Sequence, residues 1–572
     1  MYKKFLVIII LLLSFSKAQA ETFIPAQPTM SAKQLKPEMS GYMLTVIKGT
    51  DPVRIPVKIV SVVPQKPKTN ISDVILIRIM GKQKVAHGMS GSPVYINGKL
   101  IGAVAIGWEF GDHSLCCVTP IEDMCRIFAD NSSGKKIASQ GNLALSNIIF
   151  SGIRINNQSL ENMAKRLGVN LVQGLSSGSS GNIQASSLRP GDAVTALLVW
   201  GDIEAGASGT VTATDNNGRF LAFGHEFTQK GKVAYPAAKS YVHQIIDSLA
   251  FPQRLSTSMG INGMFIQDRA AGLGGVLGQY PQSIAAEFNF KDLDNNIERN
   301  YKFRVIADEF LSQELIQGLY AGLLEEAWGR KGQGSISVNL RLDGKNLPKG
   351  WARKDVYYST DNVVVKEAFE DVSKIINAYL TQPFSETLPA GFKLTIEASQ
   401  SPKILFIEDV KTVSRASPGQ EVNIEVTLRS WRKEPVKRAF KLKIPEGASG
   451  TAELIVRGGS VNSMSQPGLE GGYKSINSLE RMLKEISAID GNNQLILELN
   501  VDQAGNNLSK VLNKRKGSKH DEEDYSNDFL DEEQEFLSDT KERRMNEGNL
   551  KIYNSEHYID GLQRRLIHIV GK

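Results

Sequence analysis

The 572-residue sequence predicts a mainly β protein of several small domains, connected by a few helices. Three observations favour this fold class. Short apolar segments alternate with polar residues at the two-residue period of strands, as in residues 53–59 and 422–428. Glycine is abundant, with 51 residues, and glycine-rich turns separate these segments. Helical periodicity is confined to a few stretches, such as residues 308–328 and 365–380.

The first twenty residues have the pattern of an export signal. Lys3 and Lys4 precede an apolar run over residues 5–13, and residues 18–20 (Ala-Gln-Ala) form a small-x-small cleavage site. The apolar run is short for a bilayer span, and no second stretch of spanning length follows it. We therefore expect an exported protein of the periplasm or cell surface, either released or held at the membrane by its uncleaved signal.

Charge and cysteine content argue against several function classes. The formal net charge is +6, from 67 basic and 61 acidic residues, which is too mild to predict nucleic-acid binding. Cys116, Cys117 and Cys125 are odd in number, so they do not form a disulfide framework. No histidine or acidic cluster lies near them at metal-ligand spacing. We expect no cofactor and no metal, and cysteines that are buried apolar side chains or, as the second alternative, form one disulfide.

A serine between two glycines carries the functional interpretation. Ser90 lies between Gly88 and Gly91, and a proline closes the segment two residues later. Because glycine permits positive φ, this sequence fits a tight turn that exposes the Ser90 hydroxyl. The N–H groups of Gly88 and Ser90 would then converge on one point, as in an oxyanion hole. Predicted strands at 94–96 and 100–106, joined by an Asn-Gly turn, place Ser90 at the mouth of a β-hairpin.

Two histidines and one aspartate are candidates to act with Ser90. His225 follows a glycine at the end of a predicted strand over residues 220–223, a position that suits a general base. His87 is a rival base, but the tight turn between it and Ser90 makes its aim at the hydroxyl awkward. Asp268 enters a glycine-rich turn. Each has an ordinary structural interpretation as well, as a partly buried histidine or an aspartate that caps its own turn.

The sequence around these residues resembles the SpoIVB-type serine peptidase family, that of the stage IV sporulation protein B. The resemblance extends well beyond a six-residue motif and covers residues 37–45, 57–60, 74–77, 87–104, 118–124, 206–211, 221–225 and 267–272. In the sporulation peptidase the histidine half precedes the serine half, whereas here Ser90 comes before His225. The two halves therefore have a permuted order, which is acceptable because catalytic groups meet in space rather than in sequence.

The resemblance implies a trypsin-like double β-barrel and a role for each candidate residue. Ser90 would be the nucleophile and His225 the general base, with Gly88 and Ser90 N–H groups as the oxyanion hole. The family acid lies shortly before the serine, but residues 80–81 here hold no acid, and Asp73 lies on the other side of the preceding strand. Asp268 is therefore the preferred group to orient the imidazole. We expect an exported serine endopeptidase that cleaves a specific envelope protein or itself.

With this interpretation the chain divides into nine predicted segments. In order, they are a signal peptide (1–20), a linker (21–39), the serine half of the peptidase (40–135), a Ser/Gly-rich connection (136–190), the histidine half (191–305), a helical connecting region (306–400), an Ig-like β-sandwich with a short helix (401–504), a charged disordered insertion (505–550) and a C-terminal strand (551–572).

A second hypothesis is a catalytically inactive envelope protein with the same fold. The absent family acid favours this hypothesis, and the C-terminal sandwich would then bind an envelope protein or a surface polymer. The combination of the Ser90 turn with His225 at a strand end argues against it, because a binding module needs neither.

Overall fold

Strands dominate the computed structural model, so the mainly β prediction is confirmed. The structure describes residues 22–64, 71–129, 136–137, 147–175, 187–329, 332–345, 347, 351–360, 363–388, 390–461, 476–501 and 536–570. The predicted signal peptide lies outside these residues. The chain divides into two compact units: described residues of 1–155, 164–282 and 306–308 form the first, and those of 156–163, 283–305 and 309–572 form the second.

The first unit carries the candidate site and is built from strands β1 to β16. These are β1 (Ser40–Thr45), β2 (Val53–Val63), β3 (Ile71–Ser72), β4 (Val74–Ile79), β5 (Pro93–Ile96), β6 (Lys99–Ile106), β7 (Leu115–Pro120), β8 (Lys136–Ile137), β9 (Asn147–Ser151), β10 (Asn170–Gln173), β11 (Ala193–Gly201), β12 (Glu204–Thr214), β13 (Arg219–Ala222), β14 (Gly231–Ile246), β15 (Gln253–Arg269) and β16 (Gly272–Leu277).

Six of these strands form a closed barrel in the order β1-β2-β4-β7-β6-β5, which the pairing of β5 with β1 closes. The predicted alternation is visible in β2, where Ile55, Val57 and Ile59 point into the barrel core and are buried. Ile75 and Ile77 of β4 fill the same core. The apolar period of two in the sequence therefore marks the side of each strand that the barrel buries.

A second ring of six strands lies in the same unit. Its order is β12-β13-β16-β15-β14-β11, and the antiparallel pairing of β11 with β12 closes it. Phe220, Phe223 and Phe265 are buried inside and meet edge to face, with ring centroids 5.2 Å apart for Phe220–Phe265 and 5.8 Å apart for Phe223–Phe265. Strand β13 of this ring ends three residues before His225, so the ring fixes where the histidine begins.

The predicted Ser/Gly-rich connection contains regular structure that its composition conceals. Strands β9 and β10 pair in parallel, and β9 also pairs with β12. Between them lies a helix, Gln158–Leu167, with Leu160 and Met163 fully buried. The helix arises from apolar residues at helical spacing, a signal that the neighbouring serines and glycines mask. The serine-rich run itself, residues 176–186, lies outside the described residues.

The second unit is built from the remaining strands. These are β17 (Ser283–Asp292), β18 (Ile297–Ile306), β19 (Gly334–Gly344), β20 (Ala352–Ser359), β21 (Ala390–Ser399), β22 (Ile404–Thr412), β23 (Arg415–Ala416), β24 (Glu421–Ser430), β25 (Val436–Lys443), β26 (Gly450–Gly458), β27 (Gln494–Val501), β28 (Leu550–Asn554), β29 (Tyr558–Asp560) and β30 (Leu562–Ile569). The helices of the described residues are α1 (Ile121–Cys125), α2 (Gln158–Leu167), α3 (Leu311–Trp328), α4 (Val363–Thr381), α5 (Leu479–Ala488) and α6 (Leu537–Asn546), with 3-10 turns at Ala32–Gln34 and Arg126–Phe128.

The second unit contains two sheets that share one apolar core. The sheets have the orders β25-β24-β22-β29 and β23-β30-β26-β27-β28. Their inward residues, such as Val422 and Ile424 from one sheet and Leu454 and Leu497 from the other, belong to a single buried cluster. The C-terminal segment supplies three strands, β28 to β30, rather than the single strand that the sequence predicts.

The predicted helical region and charged insertion both differ in part from the structure. Helices α3 and α4 form as predicted, but residues 306–400 also contain β19, β20 and β21. Within the segment 505–550, residues 536–550 are ordered, because Asp539 of α6 pairs with Arg481 and Lys484 of α5. The rest of that segment lies outside the described residues. In the part of the chain that the structure describes, no helix has the length and apolarity that crossing a bilayer requires.

Candidate active site

The turn that holds Ser90 connects β4 to β5 and is fixed by its own backbone. The N–H of Met89 donates to the carbonyl of Ala86 at 3.0 Å, and the N–H of Gly91 donates to the carbonyl of Val104 at 2.7 Å. Gly88 and Gly91 have φ angles of +91° and +92°, which side-chain-bearing residues rarely adopt. The glycines therefore perform the role that the sequence predicts for them.

Two carbonyls of this turn are held by hydrogen bonds to their neighbours. The carbonyl of His87 accepts the backbone N–H of Arg254 at 3.0 Å. The carbonyl of Met89 accepts both the N–H of Ser92, at 3.0 Å, and the Ser92 hydroxyl, at 2.6 Å. Because C=O and N–H point in opposite directions across a trans peptide, these bonds also fix the direction of the next N–H in each case.

The N–H groups that these carbonyl bonds orient are those of Gly88 and Ser90. Within the described residues, neither donates to a protein acceptor, although Gly88 is buried and Ser90 is partly buried. Backbone N–H groups in folded proteins usually have an acceptor, so two donors without one at the wall of a cavity are available to a bound group. One donor belongs to Ser90 itself and the other to the residue two positions before it, and both residues line one cavity. The oxyanion hole that the sequence predicts for these two donors stays a prediction.

The same cavity contains both candidate bases. Gly88, Ser90, His87 and His225 lie on its wall. The other lining residues are mostly apolar: Val85, Ala86, Val104, Ala105, Ile106, Gly107, Glu109, Asn147, Ile149, Ala207, Ser208, Phe223, Phe251 and Gln253. The structure therefore brings Ser90 and His225 to one site, although they are far apart in the chain. No hydrogen bond joins their side chains among the described residues, and such bonds often tighten only when substrate is present.

Strand β12 of the second ring holds the Ser90 turn in place. The Thr210 N–H donates to the carbonyl of Ser90 at 2.7 Å, and the Thr210 hydroxyl donates to the carbonyl of Gly88 at 3.1 Å. The Thr212 hydroxyl donates to the carbonyl of Gly91 at 2.8 Å. The turn belongs to the first barrel, so these bonds dock the Ser90 turn of one ring onto a strand of the other.

His225 lies on a strained turn directly after β13. Phe223 and Gly224 both have a φ of +69°, and the Thr119 hydroxyl donates to the carbonyl of Gly224. The Nδ1 of His225 lies 2.6 Å from the carbonyl oxygen of Glu226, which can only accept a hydrogen bond. In the neutral ring Nδ1 is therefore the protonated nitrogen, and Nε2 is the one that can accept a proton. This is the tautomer that a general base needs.

Among the described contacts, Asp268 makes none with the imidazole of His225. The expectation that Asp268 orients this ring is therefore wrong. Its fully buried carboxylate accepts the N–H groups of Phe227, Thr228 and Gln229, at 2.9, 2.6 and 3.0 Å, and the Thr228 hydroxyl at 2.7 Å. The alternative interpretation, that it caps its own turn, also differs from the structure, because the loop it caps lies some forty residues earlier. Asp268 holds the chain that follows His225.

His87 is poorly suited to be the base. It packs against Phe251, with ring centroids 4.6 Å apart. Burial, helped by the nearby His225, lowers the pKa of His87 from its ordinary 6.5 to about 4. The ring is therefore neutral at pH 7, but a base with so low a pKa accepts a proton weakly.

We expect the His87→Gln variant to lose less stability than wild type between pH 6.5 and pH 4. A lowered pKa means that the folded state binds the proton more weakly than the unfolded state, so stability falls as pH drops through this window. The shift corresponds to at most about 3 kcal/mol. Urea unfolding at pH 7 and pH 4 measures the difference, with His243→Gln on β14 as the control. Equal losses in wild type and His87→Gln would contradict the expectation.

The three cysteines are free thiols. Cys116 and Cys117 are buried on β7, and Cys125 at the end of α1 is partly buried. Burial raises the pKa of Cys117 to about 11 and that of Cys125 to about 12. Within the described ranges, no group of three or more histidine, cysteine or acidic side chains is arranged to hold a metal ion.

Two residues of the site are missing from the sequence-based prediction. Arg254 and Thr210 both support the Ser90 turn, yet each lies within a strand and carries no motif that marks it. No protein-family model matches the chain, and neither do any curated proteins or solved structures. The geometry of the site is therefore the basis for a functional conclusion.

Proposed function

We propose that this chain is a serine endopeptidase that hydrolyses peptide bonds through an acyl-enzyme. The observation that carries the proposal is the pair of unpartnered N–H groups of Gly88 and Ser90, beside a serine hydroxyl and His225 in one cavity. A purely structural turn gains nothing from leaving two such donors without acceptors, since each costs free energy when it is buried.

The proposed reaction assigns one task to each group. The Ser90 hydroxyl attacks the carbonyl carbon of the scissile peptide, and Nε2 of His225 takes its proton. The Gly88 and Ser90 N–H groups stabilise the negative charge that develops on the carbonyl oxygen. The imidazolium then gives its proton to the departing amine. Water attacks the acyl-enzyme with His225 again as the base, and Ser90 is restored.

The carbonyl of Glu226 takes the place of the missing triad acid in this proposal. It holds the tautomer and the orientation of His225, as an aspartate does in a Ser-His-Asp triad. A carbonyl dipole stabilises the imidazolium less than a full negative charge. We therefore infer an enzyme slower than one with a complete triad, consistent with limited cleavage of a specific protein rather than with general digestion.

The two rings of the first unit support a trypsin-like double-barrel arrangement. The nucleophile turn belongs to the closed barrel of β1 to β7, and the histidine follows β13 of the second ring. The two sheets around one core in the second unit are compatible with an Ig-like sandwich. The SpoIVB-type resemblance, the export signal and a protein substrate in the cell envelope belong to the same proposal.

The second candidate function is an inactive peptidase-like protein that binds an envelope protein or a surface polymer. One observation favours it: within the described residues, no carboxylate contacts the imidazole of His225. The unpartnered N–H groups of Gly88 and Ser90 favour the peptidase instead, because binding elsewhere on the protein does not require them.

Labelling with a fluorophosphonate probe tests the proposal. We expect purified wild-type protein to be labelled and Ser90→Ala to be unlabelled, since the probe reacts only with an activated serine. Ser40→Ala is the matched control, because Ser40 is an exposed serine of β1 in the same barrel and does not line the cavity. A folded wild-type protein that does not react, or a reaction that persists in Ser90→Ala, would exclude the proposed active site.

A further inference from the structure

Arg254 is a buried cation at the start of β15. Its side chain is completely shielded from solvent. No acidic side chain within the described residues forms an ion pair with it, and burial alone lowers its pKa to about 9. A buried charge without a counter-charge costs several kcal/mol, so a position of this kind requires a compensating role.

The guanidinium lies directly beneath the Ser90 turn. Its Nη1 donates to the Thr210 hydroxyl at 3.1 Å, and that hydroxyl donates to the carbonyl of Gly88. Its Nη2 donates to the Ser208 hydroxyl at 3.1 Å and to the carbonyl of Gly209. A Cβ added to Gly88 would lie 3.0 Å from Nε of Arg254, so the guanidinium occupies the space beside Gly88, the residue that carries one of the two unpartnered N–H groups.

Within the described residues, one hydrogen-bond donor of the Arg254 guanidinium has no partner. Its buried Nε has no hydrogen-bond acceptor among the described atoms. Every acceptor that the guanidinium does have is neutral. The positive charge is therefore unbalanced until negative charge forms nearby, and the Gly88 and Ser90 N–H groups are where the proposed reaction forms it. An interaction realised only in the transition state lowers the barrier without tightening substrate binding.

We propose that Arg254 supplies the counter-charge for the oxyanion held by the Gly88 and Ser90 N–H groups. The inference rests on the proposed peptidase function. Arg254 is a positioning residue, because it acts through the backbone of Gly88 and through Thr210 rather than by touching the substrate. Its positive charge in a dry environment stabilises the oxyanion more strongly than the same charge would in water.

The rival explanation is that Arg254 only holds the turn by hydrogen bonds. Two variants separate charge from hydrogen bonding. Arg254→Gln keeps an amide donor and removes the charge, whereas Arg254→Lys keeps the charge but cannot form the several bonds of the guanidinium together. Arg219→Gln on β13 is the matched control, since it removes a charge that is paired with Asp215 outside the cavity.

The experiment measures the maximal rate of fluorophosphonate labelling and the probe concentration at half-saturation. Each variant is first shown to be folded by a cooperative unfolding transition. For Arg254→Gln we expect the maximal rate to fall about 100-fold, as for loss of an oxyanion donor, with half-saturation within about 3-fold. For Arg254→Lys we expect a loss of less than about 10-fold, and for Arg219→Gln no change. If Arg254→Gln does not fold, the Arg254→Lys variant distinguishes the two explanations by itself. A role in hydrogen bonding alone predicts that Arg254→Lys loses the full ~100-fold in maximal rate, whereas a role of the charge predicts the smaller loss.

Three results would overturn the inference. Equal losses in the lysine and glutamine variants would mean that hydrogen bonding, not charge, is what matters. An unchanged maximal rate in Arg254→Gln would remove any role in the reaction and would leave the peptidase proposal intact. A folded wild-type protein that does not label would instead overturn the peptidase proposal, and the inference with it.

Discussion

Replacing His225 by alanine is expected to slow the acylation of Ser90 by a factor on the order of 10⁴ to 10⁶. In the proposed mechanism Nε2 of His225 accepts the serine proton, because Nδ1 contacts the carbonyl of Glu226. Without it, the hydroxyl must lose its proton to water, and only the oxyanion donors remain to assist. Probe labelling and cleavage of a denatured protein substrate both measure the loss.

The matched control is His87→Ala, which removes the other imidazole of the same cavity. We expect it to slow labelling by less than about 10-fold, because the lowered pKa of His87 makes it a weak base. If His87→Ala abolishes labelling and His225→Ala does not, the two roles are exchanged. If neither variant slows the reaction, Ser90 is not activated by a histidine at all.

Replacing Gly91 by alanine is expected to destabilise the first unit by about 3 kcal/mol or more and to abolish labelling. An added Cβ would lie 2.0 Å from the carbonyl oxygen of Thr210 and 2.4 Å from the N of Phe223. Both are backbone atoms in the second ring, so no side-chain rotation relieves the overlap. The turn must move away from β12 and lose the bonds that fix the Ser90 backbone.

Gly98→Ala separates the overlap from the cost of the backbone angle. Gly98 has a φ of +74° in the turn between β5 and β6, and nothing lies within 4 Å of a Cβ added there. We expect this variant to cost roughly 1 kcal/mol and to label normally. Denaturant unfolding and probe labelling of wild type, Gly91→Ala and Gly98→Ala measure the two effects. A Gly91→Ala protein that resembles Gly98→Ala in both assays would mean that the docking of the turn is not required.

Sequence was sufficient where the chemistry of the site is local. The turn at Ser90 could be predicted because its two glycines adopt the positive φ angles that their composition suggests. His225 follows the end of β13 and lies in the same cavity as Ser90, although its role as a base stays a prediction. The apolar period of two was enough to predict strands such as β2, whose inward side chains the closed barrel buries.

Sequence was insufficient where the partner of a residue is distant in the chain. The sequence favours Asp268 as the partner of the imidazole, but its carboxylate oxygens accept hydrogen bonds from a loop that no local pattern connects to it. Arg254 carries no sequence signal, because an arginine in a strand is ordinarily solvated and nothing in its neighbourhood indicates burial. Helix α2 carries only a weak signal, because serine and glycine dominate the composition around it.

The docking of the Ser90 turn on β12 ties the proposed chemistry to the whole of the first unit. Ser90 lies on a turn of the first barrel, whereas His225 follows β13 of the second ring. Under the proposed mechanism, neither ring by itself contains both the nucleophile and the base. A fragment that ends before β12 is therefore expected to lack hydrolytic activity.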